Sequence, residues 1–239
     1  MKAIILNSGM GSRLKELTKN VPKSMVEIGN DETIFSKAVN TLSKYDIDEF
    51  IITTGYLSEV LKEYASTSFP DVNFTFVHNP EYDKTNYINS LDYVSDDLVG
   101  DILLLHGDLI FDEEVVSQIL LCDESCMVTD SQLEIPKKDF KAKIVDGYVK
   151  KISVDYFGDD AVSCQPLYKL KNNDWINWKN KIRIFCGTGK NDVYAEEALN
   201  VLLNEEIKIK AIDIRGYFCS EIDTKEDLNN YRKRIEAND

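Results

Sequence analysis

The chain has 239 residues, of which 43% are hydrophobic and 29% are charged. These proportions are typical of a folded globular protein and exclude the collagen, coiled-coil and disordered classes. The 28 basic and 42 acidic side chains give a formal charge of −14, which disfavours nucleic acid and anionic lipid as partners of the surface as a whole. An anionic small substrate is still compatible with this charge if a few Lys and Arg side chains converge on it.

The first 112 residues alternate short apolar runs with segments of helical spacing. This alternation favours right-handed βαβ crossovers, so we expect an α/β fold with a Rossmann-like, mostly parallel central sheet flanked by helices. The predicted strands are Ala3 to Leu6, Glu49 to Thr53, Asn73 to Val77 and Asp101 to Leu105, and the predicted helices are Thr33 to Tyr45, Leu57 to Ala65 and Ile88 to Val94.

After Asp112 the pattern becomes less regular. Two short runs between Ala142 and Ile152 flank Asp146-Gly147, which predicts a tight hairpin and a small antiparallel lobe. The chain shows no internal repeat and no linker, so we expect a single domain over 1–239. Further on we predict helices at Asn172 to Lys181, Asp192 to Leu203 and Lys225 to Ile235, the last with Thr224 as its N-cap, and a strand at Ile207 to Ile214.

The cysteines and the start of the chain bear on the compartment. The five cysteines are scattered and lack the spacing of a zinc site, so we expect reduced thiols in the core. The opening apolar run ends at Leu6 and is too short for a signal peptide, and no window approaches the roughly 18 apolar residues of a membrane span. We therefore expect a cytoplasmic protein. The cysteines are Cys122, Cys126, Cys164, Cys186 and Cys219.

A glycine-containing turn from Leu6 to Leu14 joins the first predicted strand to a predicted helix start. Free backbone N–H groups and the helix dipole favour an anion there. Arg13 and Lys23 add two cations, and Pro22 fixes the backbone before Lys23. Leu14 stands where a Rossmann dinucleotide site has its third glycine, and no Walker A sequence follows. Two alternatives remain at this point: an NAD(P)H-binding oxidoreductase, and a simple turn with two surface cations.

The residues of this turn carry a family resemblance. Gly9-Met10-Gly11-Ser12-Arg13-Leu14, followed by Pro22-Lys23-Ser24-Met25, resembles the signature of the sugar-phosphate type of nucleotidylyltransferase, and the resemblance continues through Gly55-Tyr56, Gly107-Asp108 and the stretch from Glu221 to Leu228. It implies attack of an acceptor phosphate or phosphonate on the α-phosphorus of a nucleoside triphosphate, with release of pyrophosphate. Arg13 and Lys23 are then the catalytic cations.

The resemblance also implies a Mg²⁺ ion held by Asp108 and Asp223. Asp108 follows a predicted strand at the carboxyl edge of the sheet, and Asp223 precedes the last predicted helix. Magnesium takes one or two carboxylates together with substrate phosphates, so two aspartates suffice. In the alternative interpretation Asp108 is a turn residue and Asp223 is only part of a helix cap.

An Asn-rich run from Asn79 to Leu91 resembles the small bacterial cytidylyltransferases, including the phosphocholine enzyme. The resemblance implies CTP as the nucleotide, with Asn86 and Asn89 near the base; alternatively, these two residues only cap the following helix. The nucleotide-binding part then spans about 1–112. Its implied binding residues are Leu6, Asn7, Ser8, Gly9, Met10, Gly11, Ser12, Arg13, Lys23, Gly55, Tyr56, Thr85, Asn86, Asn89, Ser90 and Gly107.

The acceptor-binding part, over about 113–239, resembles the family in two segments, Ser163 to Tyr168 and Asn191 to Glu197. Tyr194 with neighbouring carboxylates could hold an ammonium group, which suits phosphocholine, phosphoethanolamine, aminoethylphosphonate or an amino-acid-derived phosphate. The alternative is an amphipathic helix with solvated acids and a core tyrosine. The implied acceptor-binding residues are Gln165, Tyr168, Asp192, Tyr194 and Glu196.

Two other functions remain open. A sugar-1-phosphate nucleotidylyltransferase would use the same turn and metal, and a non-catalytic nucleotide-sensing subunit would keep the fold. The expected partners are CTP and a small phospho- or phosphono-acceptor, with no nucleic acid and no membrane insertion, and a homodimer is compatible with these expectations.

Overall fold

The computed structural model describes residues 1–203 and 205–237. The strands are β1 (Lys2–Asn7), β2 (Glu27–Gly29), β3 (Glu32–Thr33), β4 (Glu49–Thr54), β5 (Phe74–His78), β6 (Ile102–His106), β7 (Leu109–Phe111), β8 (Cys126–Asp130), β9 (Lys141–Val145), β10 (Tyr148–Ser153), β11 (Ala161–Leu170), β12 (Ile209–Asp213) and β13 (Cys219–Glu221). The helices are α1 (Ile34–Leu42), α2 (Ser58–Ser68), α3 (Tyr87–Asp92), α4 (Glu113–Leu121), α5 (Asn172–Gly187), α6 (Ala195–Leu202) and α7 (Lys225–Glu236).

Nine of the strands form one sheet in the order β5-β4-β1-β6-β11-β8-β12-β10-β9. The first four strands are parallel, and β11 runs antiparallel to both β6 and β8. The α/β fold with flanking helices is confirmed. The sheet is mixed, however: the parallel arrangement that we expected throughout is limited to β5, β4, β1 and β6 and to the pair β8 and β12.

Side-chain alternation along the strands places a core on each face of the sheet. Ile4 packs with Trp175 and Trp178 of α5 on one face, whereas Ile5 packs with Phe35 of α1 on the other. Strands covered on both faces are apolar at nearly every position, as in Ile102 to Leu105 of β6. These continuous apolar runs explain why the parallel strands could be predicted.

Two local predictions had different outcomes. The hairpin is confirmed, with β9 and β10 joined through Asp146 and Gly147, both at positive φ. The predicted helix start after the glycine turn is instead a 3₁₀ helix, Ser12–Thr18, interrupted at Lys15, where φ is 53°. A short 3₁₀ segment has little macrodipole, so an anion at this turn depends on backbone N–H groups and side-chain cations.

The closing helix packs against the glycine-turn region through a third apolar cluster. Leu14 of the 3₁₀ helix contacts this cluster, which includes Ile222 just before α7 and Leu228 within α7. Thr224 caps α7 as predicted, in a capping box completed by Asp227. Because Asp227 also accepts a hydrogen bond from the backbone N–H of Asp223, the cap fixes the backbone of that residue.

In residues 1–203 and 205–237, no helix is both long and apolar enough to cross a membrane. All five cysteines carry free thiols.

Candidate active site

The site lies where the strand order reverses. The chain places β4 and β5 on one side of β1 and then returns to place β6 on the other side. The loops that follow β1 and β6 therefore meet at the carboxyl edge of the sheet, where open α/β folds bind their ligands. The Gly107 N–H donates to the Leu6 carbonyl over 2.9 Å, which brings Asp108 beside the glycine turn.

Gly107 permits this close approach. A Cβ atom at this position would lie 2.0 Å from Oδ1 of Asn7. Gly11 has a similar role, since its φ is 61° and a Cβ atom there would lie 2.8 Å from Cβ of Lys23. The glycine turn thus folds tightly against Lys23, and any larger residue at Gly11 would displace this lysine.

Two adjoining cavities open at this edge, the inner one of about 400 Å³ and the outer one of about 370 Å³. The inner cavity lies over the loop that precedes α3 and includes Asn79 and Ser90, and the outer cavity includes Arg13 and Tyr194. Because they share part of their walls, two ligands could meet at the boundary. The residues that line both cavities are Gly9, Asn86, Tyr87, His106 and Asp108.

A cluster of opposite charges lies at this boundary. The Lys23 ammonium donates to Asp108 and, over 2.5 Å, to Oδ1 of Asp223, while Arg13 donates to Oδ2 of Asp223. Burial opposes the charge of Lys23, but the two carboxylates outweigh this effect and raise its pKa. Burial likewise opposes the charge of Asp108, yet Lys23 holds the pKa of Asp108 below its ordinary value. Lys23 and Asp108 are therefore both charged at neutral pH.

The donor set at this boundary fits a hard divalent cation. Oδ1 of Asp108 is buried and has no hydrogen-bond partner in the part of the chain described, so it is free to bind an ion. Ligand atoms of His106, Asp108 and Glu221 lie within 4.8 Å of one another, but Nδ1 of His106 already pairs with Glu221 over 2.8 Å. Because Mg²⁺ prefers oxygen ligands, the carboxylates of Asp108 and Asp223 suit it better than the His106 ring does.

The backbone of the glycine turn is open to the cleft. Within residues 1–203 and 205–237, the N–H groups of Gly9, Met10 and Gly11 have no acceptor, and a Cβ atom added at Gly9 would meet no atom within 4 Å beyond its chain neighbours. Together with the Arg13 and Lys23 side chains, these donors can bind several phosphate oxygens.

Aromatic rings and carboxylates form the far wall of the outer cavity. The ring of Tyr194 packs edge-on against the ring of Phe140, with 5.2 Å between the ring centroids, and its centroid lies 6.0 Å from that of the Tyr87 ring. Asp139 and Glu221 also line this cavity. Burial, together with the nearby Asp223 and Asp227 carboxylates, raises the pKa of Asp139. Glu221 already pairs with His106, whereas in the described chain Asp139 has no ion-pair partner, so the Asp139 carboxylate is available for a positively charged ligand.

Glu196 lies behind the aromatic wall and does not face the cavity. It is 2% exposed, and its carboxylate accepts hydrogen bonds from the Tyr87 and Tyr168 hydroxyls. Burial and the adjacent Glu196 charge raise the pKa of both tyrosines well above the ordinary value. These tyrosines therefore remain protonated donors, and Glu196 acts by fixing the Tyr87 ring at the boundary of the cavities.

The structure brings together most, but not all, of the predicted nucleotide-binding residues. Asn7 and Gly107 line a small crevice behind the boundary, whereas Met10 is exposed outside the cavities. Neither Tyr56, which donates to the carbonyl of Lys19, nor Asn89, which donates to Asn79, lines either of the two cavities. Gly55 packs beneath Ser8. Those that line the cavities are Leu6, Ser8, Gly9, Gly11, Ser12, Arg13, Lys23, Thr85, Asn86 and Ser90.

The predicted acceptor residues are dispersed. Tyr194 lines the outer cavity and Asp192 the inner one, but Gln165, Tyr168 and Glu196 line neither.

Sequence reasoning did not assign Asp139, Phe140 or Glu221 to the site. Glu221 lies in the stretch that resembles the family and could have been found there; the segment around Asp139 has no pattern that would have identified it.

The chain matches a known family and several known proteins in sequence. The family model described as nucleotidyl transferase matches residues 2–125. The CTP:phosphoglutamine cytidylyltransferase of Campylobacter jejuni is 27% identical, over 95% of this chain and 98% of that protein. The choline-phosphate cytidylyltransferase of Haemophilus influenzae is 30% identical, over 48% of this chain and 47% of that protein.

Two solved structures share the fold over almost the whole chain. The CTP:phosphocholine cytidylyltransferase of Streptococcus pneumoniae superposes with a TM-score of 0.77 at 21% identity and covers 98% of each chain. The inositol-1-phosphate CTP transferase of T. maritima superposes with a TM-score of 0.79 at 16% identity and covers 98% of this chain and 96% of that one.

Proposed function

The chain belongs to the nucleotidyl transferase family, and on that basis we propose that it transfers CMP from CTP to a small amine-bearing phosphate or phosphonate, releasing pyrophosphate. The observation that carries this proposal is the placement of Arg13, Lys23, Asp108 and Asp223 at the boundary between two cavities. CTP is favoured because relatives at 27% and 30% identity are cytidylyltransferases.

The inner cavity is the proposed site of the cytidine. Its wall presents the hydroxyls of Thr85 and Ser90 and the carboxamides of Asn79 and Asn86. Asn79 is fixed by hydrogen bonds to Thr85 and Ser90, at 3.2 and 3.0 Å. Asn86 accepts from the Tyr87 N–H through Oδ1, which leaves its amide N–H groups free to donate to the base.

The outer cavity is the proposed site of the triphosphate and the acceptor. The glycine turn, Arg13 and Lys23 hold the β- and γ-phosphates, and the wall formed by Asp139, Phe140 and Tyr194 faces the amine of the acceptor. A carboxylate beside aromatic faces suits an ammonium group. Phosphocholine, phosphoethanolamine, aminoethylphosphonate and an amino-acid-derived phosphate all fit this description. In this proposal residues 1–112 mainly bind the nucleotide and 113–239 mainly bind the acceptor.

In the reaction, an acceptor oxygen attacks the α-phosphorus, and the bond from that phosphorus to the bridging oxygen of the β-phosphate breaks. The nucleophile is already an anion, so no general base is needed. Arg13, Lys23 and the turn N–H groups stabilise the charge that develops on pyrophosphate. Asp108 and Asp223 would hold a Mg²⁺ ion, which when bound neutralises the phosphates and aligns them.

The five free thiols agree with a reducing compartment, so we place the reaction in the cytoplasm.

A pyrophosphate-release screen tests the proposal. Each of CTP, UTP, ATP, GTP and dTTP is offered with Mg²⁺ to phosphocholine, phosphoethanolamine, aminoethylphosphonate, phosphorylated amino acids and sugar 1-phosphates, with Asp108→Asn as the blank. We expect turnover with CTP and an amine-bearing acceptor. Turnover only with a sugar 1-phosphate would show that the acceptor is a sugar phosphate and not an amine-bearing compound. Nucleotide binding without turnover of any acceptor would indicate a sensing subunit.

A further inference from the structure

Lys23 lies between the two carboxylates that the proposed function assigns to the metal. Its ammonium contacts Oδ2 of Asp108 and Oδ1 of Asp223, while Arg13 contacts the other oxygen of Asp223. Cations thus occupy three of the four carboxylate oxygens, and only Oδ1 of Asp108 is without a partner in the described chain. Two aspartates, one lysine and one arginine sum to zero charge, so this cluster is already neutral without a metal ion.

A divalent cation would compete with this arrangement. An ion bound by both aspartates would have to share their oxygens with the Lys23 ammonium, and the like charges would repel at contact distance. Lys23 is mostly buried, with 14% of its side chain exposed, and the tight turn at Gly11 packs against its Cβ and Cγ atoms. Its stem is therefore confined, but the glycine turn is next to it with three unpaired N–H groups that can hold a phosphate.

We infer that Lys23 exchanges partners when the nucleotide binds: in the nucleotide-free protein its ammonium substitutes for the metal between Asp108 and Asp223, and the triphosphate releases both carboxylates by attracting that ammonium. This inference rests on the proposed function. Metal and nucleotide then bind with positive coupling, because each removes a partner that obstructs the other. Without nucleotide, the site binds divalent metal weakly; without metal, the carboxylates hold Lys23 back from the nucleotide.

The first test measures Mn²⁺ binding to the nucleotide-free protein by electron paramagnetic resonance of the free ion. Lys23→Met keeps the length of the side chain but removes its charge, and we expect it to tighten Mn²⁺ binding by at least about tenfold. Lys138→Met is the matched control, since Lys138 lines the same cavity and has no ion pair in the described chain. It should change the affinity by less than about twofold. Lys23→Arg should restore weak binding.

The second test is the reciprocal measurement. Calorimetry with CTP in the presence of a chelator compares Asp223→Asn, which releases Lys23 and Arg13 from one partner, with Asp139→Asn, which removes an acid of the same cavity that does not contact Lys23. We expect Asp223→Asn to bind CTP at least about threefold more tightly than Asp139→Asn. Circular dichroism establishes that each variant is folded.

The outcomes separate this inference from the proposed function. If the pyrophosphate-release screen finds no turnover of CTP with any acceptor, the proposed transfer fails; if turnover is found but CTP does not raise the Mn²⁺ affinity of the unmodified protein, the coupling through Lys23 is overturned. If CTP does raise it, but Lys23→Met binds Mn²⁺ alone no better than the unmodified protein or no better than Lys138→Met, only the role of Lys23 is overturned. If the Lys23→Met protein is unfolded, the role of Lys23 is decided by Mn²⁺ binding to Lys23→Arg and by the CTP calorimetry of Asp223→Asn and Asp139→Asn.

Discussion

The parallel and antiparallel halves of the sheet contribute to one cleft by different means. The parallel half, through the loops after β1 and β6, supplies backbone N–H groups, small residues and a carboxylate. The other half, through the segments before β9 and α6, supplies rings and an acid. A phosphate is recognised by close backbone approach, which requires glycine at fixed positions, whereas a variable acceptor is recognised by side chains. The first kind of site constrains the sequence far more than the second.

The carboxylates at the boundary serve both halves, and their loss has the largest expected effect. Replacing Asp108 or Asp223 with Asn keeps the shape but removes a charged ligand, so we expect turnover nearly to vanish. Because the proposed function places both residues on one ion, the double variant should be scarcely slower than either single one. Steady-state pyrophosphate release measures this. If the losses of turnover in the two single variants add in the double variant, or if Asp223→Asn is fully active, Asp223 is only part of the α7 cap and does not bind the metal.

Lys23→Ala affects the phosphate-binding half. We expect turnover to fall at least about tenfold with the fold intact, since one well-placed cation on developing phosphoryl charge contributes a few kcal/mol. Its kinetics should be compared with those of Lys138→Ala, which removes a cation from the same cavity. Equal kinetics for Lys23→Ala and the unmodified enzyme would remove Lys23 from the reaction.

Asp139→Asn affects the acceptor half alone. We expect KM for the amine-bearing acceptor to rise about tenfold, because a charged hydrogen bond is lost, while KM for CTP stays within about twofold. Initial rates at saturating CTP and at saturating acceptor separate the two constants. A parallel rise in both would show that the two halves of the cleft are not independent.

Asn86→Ser sharpens the assignment of the inner cavity. Serine retains the N-cap of α3 but lacks the amide donor, so we expect KM for CTP to rise about fivefold, the effect of one hydrogen bond. Asn86→Ala loses both roles and serves as the comparison. If only Asn86→Ala is impaired, and for both substrates equally, Asn86 is a cap and does not contact the base.

The smallest expected effect is on stability. Burial, with Asp223 and Asp227, raises the folded-state pKa of Asp139 above its ordinary value of 3.8. A raised carboxyl pKa means that stability is lost as pH rises from about 3.8 through the folded value. Asp139→Asn should therefore melt at a higher temperature than the unmodified protein at pH 7, and the difference should shrink toward pH 4. A lower melting temperature at pH 7 would show that Asp139 has a stabilising partner.

The two halves of the sheet also differ in how much of their structure could be predicted from the sequence. The apolar runs of β1, β4 and β6 and the turn with Arg13 and Lys23 were recognisable because burial on both faces and phosphate contact each demand a fixed pattern. In the mixed half, the hairpin of β9 and β10 and the strand β12 were also predicted. The strands β8 and β11 were not, since the antiparallel placement of β11 depends on long-range pairing. Glu196 was expected in the acceptor site because of its segment, but two tyrosine hydroxyls hold it behind the wall.

The short ribbon of β7 and β13 has a consequence for biosynthesis. It joins Leu109–Phe111 to Cys219–Glu221, and so holds the Asp108 carboxylate after β6 near that of Asp223, which lies 115 residues further along the sequence. During translation the glycine turn and Asp108 emerge early, but Asp223 reaches them only when α7 has left the ribosome and this long loop has closed. A nascent chain therefore has the glycine turn and Asp108 in place before Asp223 joins them to complete the proposed metal site.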